Sequence, residues 1–286
     1  MIAMKLLTLN THSLEEPGYV EKTEKFIEML VKEQPDIVAL QEVNQSQNKA
    51  ELPDVMLDGY TRCGGFELPV RADNHAAYLV KELRKRGIYY DWTWISAKTG
   101  YGKYDEGMAL LSRKPIARVQ QFLISETDDY ENWKTRRTLG IQPEGSSDWF
   151  FTVHMGWWND EEEPFADQWK CIQEALKDPE YGEGIIWLMG DFNSQADVRG
   201  EGYDLVLKSG WKDTYLLAEE KDDGITVAEE IDGWREEDGR SGSTKNEKRL
   251  DYIFCNTPAD VRSSNVICNG KNAPVVSDHY GVMITV

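Results

Sequence analysis

The chain has 286 residues, with 32 Lys and Arg against 51 Asp and Glu, for a formal net charge of −19. That balance argues against a polyanion gripped over a wide surface, because phosphate-backbone binding needs a basic stripe; a small anion held at one local site stays compatible. Apolar residues at 40% and aromatics at 11% exclude a disordered chain, and no apolar run approaches the roughly 20 residues of a membrane span.

Periodicity predicts the elements in turn. Met4 to Leu9 reads as a strand. Val20, Thr23, Phe26, Ile27, Leu30 and Val31 repeat at helical spacing within Tyr19 to Glu33, and Pro35 ends that helix before a short buried strand, Asp36 to Leu40. Residues 44–72 are punctuated by Pro and Gly and read as irregular. Asn74 to Arg86 fits a helix. Strands follow at Tyr89 to Ser96, Gly107 to Ser112, Ile116 to Ile124, Thr135 to Gln142 and Trp149 to His154, the last two as a hairpin. Phe165 to Leu176 is helical, Ile185 to Met189 a buried strand, and Gly202 to Ser209 helical. Residues 219–248 are dense in charge and glycine and read as a long surface loop. Leu250 to Cys255, Val261 to Cys268 and Tyr280 to Val286 close the chain as strands. Composition shifts nowhere, so one domain over 1–286 is expected, built as two packed sheets with helices on the outer faces.

The four cysteines, Cys63, Cys171, Cys255 and Cys268, form no CxxC pair, which argues against a zinc site. The start lacks the apolar core and cleavage site of a secretory signal. Reduced thiols in a cytoplasmic protein are therefore expected, with neighbouring strands for Cys255 and Cys268 as an alternative.

The informative pattern is the polar residues at strand ends. Apolar runs lead into Asn10, into Gln41-Glu42, into His154, into Asp191 and Asn193, and Asp278-His279 precede the last strand; Asp251 sits inside the run Leu250 to Phe254. Any one is an ordinary turn former. Together they offer hard oxygen ligands for a cation, a carboxylate to hold a water, and two of the chain's four histidines to meet phosphate oxygens. His12 reads as a pocket rim or a surface turn, and His75, near a helix start, as structural. Of Arg136 and Arg137, alternation lets only one face the site; Arg137 is the candidate phosphate contact, with a cross-strand salt bridge as the alternative.

Thr8-Leu9-Asn10-Thr11, Leu40-Gln41-Glu42-Val43, Gly190-Asp191-Phe192-Asn193-Ser194, Arg249-Leu250-Asp251-Tyr252-Ile253 and Ser277-Asp278-His279-Tyr280-Gly281 resemble, in order and end to end, the signatures of the endonuclease/exonuclease/phosphatase superfamily. Within it, Leu9 to Ser13, Leu40 to Gln45, Glu106 to Ser112, Gly156 to Asp160 and Ile231 to Trp234 resemble the bacterial maltose 6'-phosphate phosphatases. The resemblance implies an α/β fold: a four-layer α-β-β-α sandwich of two mainly antiparallel sheets. It implies that Glu42 binds Mg²⁺, with Mn²⁺ as a substitute, and that Asn10 and Asp278 stand in or near its shell. It further implies that Asp191 deprotonates the attacking water and that Asn193 holds phosphate or water. His279, fixed by Asp251, would bond a phosphoryl oxygen, and His154 would be the second imidazole, with Glu106 as its partner.

Acidic segments beside these positions, Asn159 to Glu163 and Arg235 to Asp238, would repel a nucleic acid, and no loop is apolar enough for a membrane. A small-molecule sugar phosphate remains as the expected substrate; Trp157, Trp158 and Trp234 read equally as aromatic platforms for a sugar or, for the Trp pair, as packing of a loop base, and the resemblance favours the sugar. The alternatives are a phosphodiesterase on the same site and a non-catalytic phospho-ligand binder.

Overall fold

The computed structural model describes residues 3–229, 231 and 247–286. Two sheets stack face to face. The first runs β10 (Glu220–Lys221), β12 (Ser263–Ile267), β13 (Gly281–Thr285), β1 (Lys5–Asn10), β2 (Ile37–Ser46), β4 (Tyr104–Ser112), β3 (Asp91–Gly100). The second runs β5 (Ile116–Leu123), β6 (Arg137–Pro143), β7 (Trp149–His154), β8 (Ile186–Asp191), β11 (Asp251–Cys255), β9 (Lys212–Asp213). Most neighbours are antiparallel, but β1 pairs with β2 in parallel and β7 with β8 in parallel.

Both faces of each sheet are covered. Leu6, Ile37, Ala39, Leu110, Ile141, Phe150, Met189 and Ile253 fill the space between the sheets. Alternate residues Leu7, Leu9, Val38 and Leu40 face the other way, under α1 (Tyr19–Glu33) and α2 (His75–Lys85). Phe151, Val153, Leu188 and Phe254 face α3 (Phe165–Ala175) and α4 (Gly202–Lys208). Burial on both faces explains why these strands read as continuous apolar runs rather than alternations. The result is the expected four-layer sandwich. A short α5 (Thr214–Leu217) connects β9 to β10.

Three expectations need correction. The strand read over Asp36 to Leu40 continues to Ser46, because a register shift between Leu40 and Val43 lets it pass Glu42 and go on pairing with β4. Residues 219–229 are not a surface loop throughout: Thr226 and Val227 are fully buried, and Val227 pairs with Lys248. Cys255 ends a strand of the second sheet and Cys268 follows one of the first, so they are not neighbours; the four cysteines are free. No helix among the described residues is long and apolar enough to cross a membrane.

Candidate active site

Register brings the polar strand ends together. Asn10 pairs with Gln41, His154 with Asp191, and Asp251 with Asp191. The carboxyl ends of both parallel pairs therefore lie at one rim of the sandwich, joined across the sheets by Gln41 Nε2 donating to Thr152 Oγ1 at 2.8 Å. Gly190 lets β8 reach its place: a Cβ there would stand 2.0 Å from the Val153 carbonyl oxygen.

Asp191 is the centre. Its Oδ1 accepts the Asn193 backbone N–H at 2.8 Å. Its Oδ2 accepts Asn10 Nδ2 at 3.2 Å and stands 3.7 Å from His154 Nε2 and 3.8 Å from His279 Nε2. His279 Nδ1 meets Asp251 Oδ2 at 2.9 Å, so the predicted pair is formed. Asn10 Nδ2 also donates to Glu42 Oε1 at 2.8 Å, while its Oδ1 accepts the His12 N–H at 3.2 Å. That orientation makes Asn10 a brace between Glu42 and Asp191, with its amide oxygen turned toward the His12 backbone.

Backbone strain marks the same place. Glu42 (φ 52°), Asn193 (φ 45°), His12 (φ 47°) and Tyr101 (φ 51°) adopt the left-handed region, and all four line one cavity of about 320 Å³. Such residues persist only when their surroundings hold them. Here Ser13 Oγ donates to the Glu42 carbonyl at 2.6 Å, and Asn193 Nδ2 donates to the Met155 carbonyl at 2.9 Å.

The two site imidazoles are driven apart. Burial would lower His279, but the charges of Asp251 and Asp191 outweigh it and hold it well above the usual histidine range. Burial lowers His154, and the nearby Arg136, Lys98 and His279 cations lower it further. The two shifts run in opposite directions, a separation that suits like groups to different roles. Burial raises Asp191 to about 7, Asp251 adding to the shift and His279 opposing it. Burial also raises Glu42, with the neighbouring Glu106 charge adding to it.

The structure redistributes several expected roles. Arg136, not Arg137, lines the cavity. Arg136 precedes β6 and its Nη1 donates to the Trp133 carbonyl at 2.7 Å; its buried Nε has no hydrogen-bond partner. Arg137, the first residue of β6, instead lies over the Phe66 ring at 4.9 Å. One arginine of the pair faces the cavity, as alternation requires, but it is Arg136, just ahead of β6, rather than Arg137. Glu106 lines the cavity, but its ion pair is with Lys98 Nζ at 3.1 Å rather than with His154. Lys98 was missed altogether. It is buried on β3, where a register shift between Ser96 and Lys98 turns it inward; a lysine closing a Trp-rich strand was the available signal. Trp157 lines the cavity beside Trp133, whereas Trp158 packs on Phe165 at the base of α3. Trp234 lies outside the described residues. His12 and Asp278 both line the cavity, and His75 is buried against Tyr19, 3.1 Å from its hydroxyl.

Glu42, Glu106 and Asp278 bring carboxylates to one cavity. A buried carboxylate with a raised proton affinity beside other acids fits a hard divalent cation, which takes oxygen ligands and offsets the repulsion. Two further groups, Asp191 with Asp251 and His279, and His12 with Glu16 and Asp278, place potential ligand atoms within 4.8 Å of one another.

Two stacked sheets flanked by helices, with a carboxylate between two imidazoles at their shared end, make a deoxyribonuclease-like fold. Residues 7–279 match the Endonuclease/Exonuclease/phosphatase family, and the chain belongs to it. Members are hydrolases, phosphatases and phosphodiesterases among them, and are generally dependent on divalent metals. An endonuclease/exonuclease/phosphatase family protein from Leptotrichia buccalis C-1013-b is similar at 35% identity and a TM-score of 0.82, over 98% of each chain. The mannosyl-6-phosphatase Bt3783 of Bacteroides thetaiotaomicron VPI-5482 is similar in fold, at 17% identity and a TM-score of 0.64 over 99% of each chain. A further family protein from Bacteroides thetaiotaomicron has 17% identity and a TM-score of 0.65, covering 99% of this chain and 97% of its own. No curated protein matches.

Proposed function

We propose that the protein is a Mg²⁺-dependent phosphomonoesterase acting on a sugar phosphate, with maltose 6'-phosphate as the candidate substrate. The observation that carries this reading is the composition of the 320 Å³ cavity. Its lining brings together cationic side chains, His279, Lys98 and Arg136, and the rings of Trp133, Trp157 and Tyr101. The volume lies near the lower end of the roughly 300–1,000 Å³ of small-molecule pockets. Aromatic faces suit the C–H faces of a sugar, and the cations suit one phosphoryl group. The chain's acidity adds support, since a nucleic acid would need a cationic track.

Glu42 and Asp278, with Glu106 near, would hold the cation, which supplies positive charge against a phosphoryl oxygen. Asp191 Oδ2 orients the attacking water and takes its proton as the new P–O bond forms; the ester P–O bond breaks with its electron pair on the sugar oxygen, which takes up a proton from solvent and leaves as the free hydroxyl. The His279 imidazolium, its ring held by Asp251, donates Nε2–H to a phosphoryl oxygen. The Arg136 guanidinium and the Lys98 ammonium face the remaining charge. Asn10 keeps Glu42 and Asp191 in register. The mannosyl-6-phosphatase likeness supports a sugar phosphate, and the excess of 51 acidic over 32 basic residues speaks against a nucleic-acid partner.

The test is phosphate release from maltose 6'-phosphate, hexose 6-phosphates, inositol phosphates and nucleotides, with a plasmid-nicking assay beside it. Turnover of sugar phosphates, lost with EDTA and in Asp191→Ala, is expected. Nicking or phospholipid cleavage alone would refute the substrate class.

A further inference from the structure

The two members of the Asp251–His279 pair come from different sheets. Asp251 opens β11 of the second sheet, while His279 lies in the turn before β13 of the first, and no ladder among the described residues joins those two strands. Strand pairing therefore fixes neither the 2.9 Å between Asp251 Oδ2 and His279 Nδ1 nor the direction of that bond. A hydrogen bond weakens steeply once it bends, so the pair depends on whatever holds its two ends.

Thr226 touches both ends. It lies on the segment between β10 and β11, outside any strand, and is fully buried. Its Oγ1 accepts the Leu250 N–H at 3.0 Å and the Asp251 N–H at 3.2 Å. A hydroxyl oxygen can meet two donors in this way because it carries two lone pairs. The Thr226 carbonyl accepts the N–H of Tyr280, the residue after His279, at 2.7 Å. One side chain and its own backbone thus grip Asp251 on the second sheet and the neighbour of His279 on the first. The His279 N–H in turn donates to Ser277 Oγ at 3.3 Å, and that hydroxyl donates to the Asn10 carbonyl at 2.7 Å.

The segment that carries Thr226 is itself anchored. The Thr226 N–H donates to the Lys248 carbonyl at 2.9 Å, and Val227 exchanges backbone bonds with Lys248 at 3.0 and 2.8 Å. Val227, Ile231 and Leu250 bury their side chains in one small apolar cluster. Burial and pairing on both sides leave Thr226 little room to follow a shift of either partner.

We propose that Thr226 is a positioning residue that sets the length and direction of the Asp251–His279 hydrogen bond and acts on the reaction through that pair. Its effect on turnover rests on the phosphatase reading; its effect on the pair does not. Thr226→Val keeps the β-branched shape and the main-chain bonds to Tyr280 and Lys248 but removes the acceptor, and Thr226→Ser keeps the acceptor. With maltose 6'-phosphate, Thr226→Val should lower kcat by about 10–100-fold, the order expected of a displaced catalytic group, with KM within about twofold of the wild type. In EDTA, the NMR resonance of the His279 Nδ1–H should move upfield in Thr226→Val and exchange faster with solvent, and Thr226→Ser should restore both readouts. A merely structural role would lower the melting temperature of Thr226→Val while leaving the Nδ1–H resonance and kcat, measured below that melt, at their wild-type values. That result, or a Thr226→Ser protein as defective as Thr226→Val, would overturn the proposal. If Thr226→Val does not fold, Thr226→Cys, with a weaker acceptor at the same position, should show a partial loss of both readouts, and wild-type values there would equally overturn it. Failure of the wild type to release phosphate from any sugar phosphate would end the phosphatase reading and leave the resonance to decide the role of Thr226.

Discussion

The His279 ring sits with Nδ1 2.9 Å from Asp251 Oδ2, in a buried pair joining the second sheet to the turn before the last strand. Asp251 accepts the Nδ1–H and holds the ring so that the imidazolium's Nε2–H faces the cavity, and its charge is the largest influence raising the His279 pKa. Asp251→Asn should lower kcat by about 10²–10⁴-fold, the range of a lost acid–base contribution. NMR titration of the ring should show the His279 pKa falling in the same variant. An unchanged ring pKa would show that the pair is not the source of the charge.

Asp191 carries a cost that its chemistry requires. Its folded pKa of about 7 lies above the ordinary carboxyl value, chiefly through burial. Its favourable contribution is therefore full below the unfolded value and is lost as pH rises toward 7. In EDTA, Asp191→Asn should melt higher than the wild type at pH 8, with the difference closing at acid pH, while catalysis falls by orders of magnitude. Thermal melts at both pH values check this.

Glu42 is raised in the same direction, by burial and by Glu106. A cation that binds the folded state alone stabilises by mass action. Added Mg²⁺ should raise the melting temperature of the wild type and fail to do so in Glu42→Gln, a readout independent of turnover. An equal Mg²⁺ response in both would remove Glu42 from the cation site.

Lys98 and Glu106 form an ion pair with side chains less than a tenth exposed. Removing one partner leaves an uncompensated buried charge, worth about 3–5 kcal/mol. Lys98→Met should destabilise by that order in denaturant melts. Lys98→Met with Glu106→Gln should recover much of the loss without restoring activity, since Lys98 also faces the cavity.

His75 lies away from the site, fully buried, and burial holds it down to about 3. The unfolded chain takes up a proton near 6.5 that the folded protein refuses until about 3. Stability present above 6.5 is thus lost as pH falls, by about 1.4 kcal/mol per pH unit. His75→Gln should flatten the acid limb of a stability–pH curve; an unaltered limb would place the acid sensitivity elsewhere.

The elements were legible because apolar periodicity is a local property. Tyr19–Glu33 and Trp149–His154 occur where spacing predicts them. Asn10, Glu42, His154, Asp191, Asp251, Asp278 and His279 were legible because a polar residue ending an apolar strand stands at a sheet rim whatever the topology. Tertiary structure decided which rims meet and which faces turn inward. A register shift in β3 aims Lys98 at the cavity, and a position one residue ahead of β6 turns Arg136 in while Arg137 turns out. Pairing of Glu106 with Lys98 depends on strands far from His154 in the chain. Strand periodicity assigns a face only while the ladder stays regular, and a single inserted residue reverses it. The sites of chemistry lie where the ladder is irregular, so their final geometry belongs to the packed molecule rather than to any local run of residues.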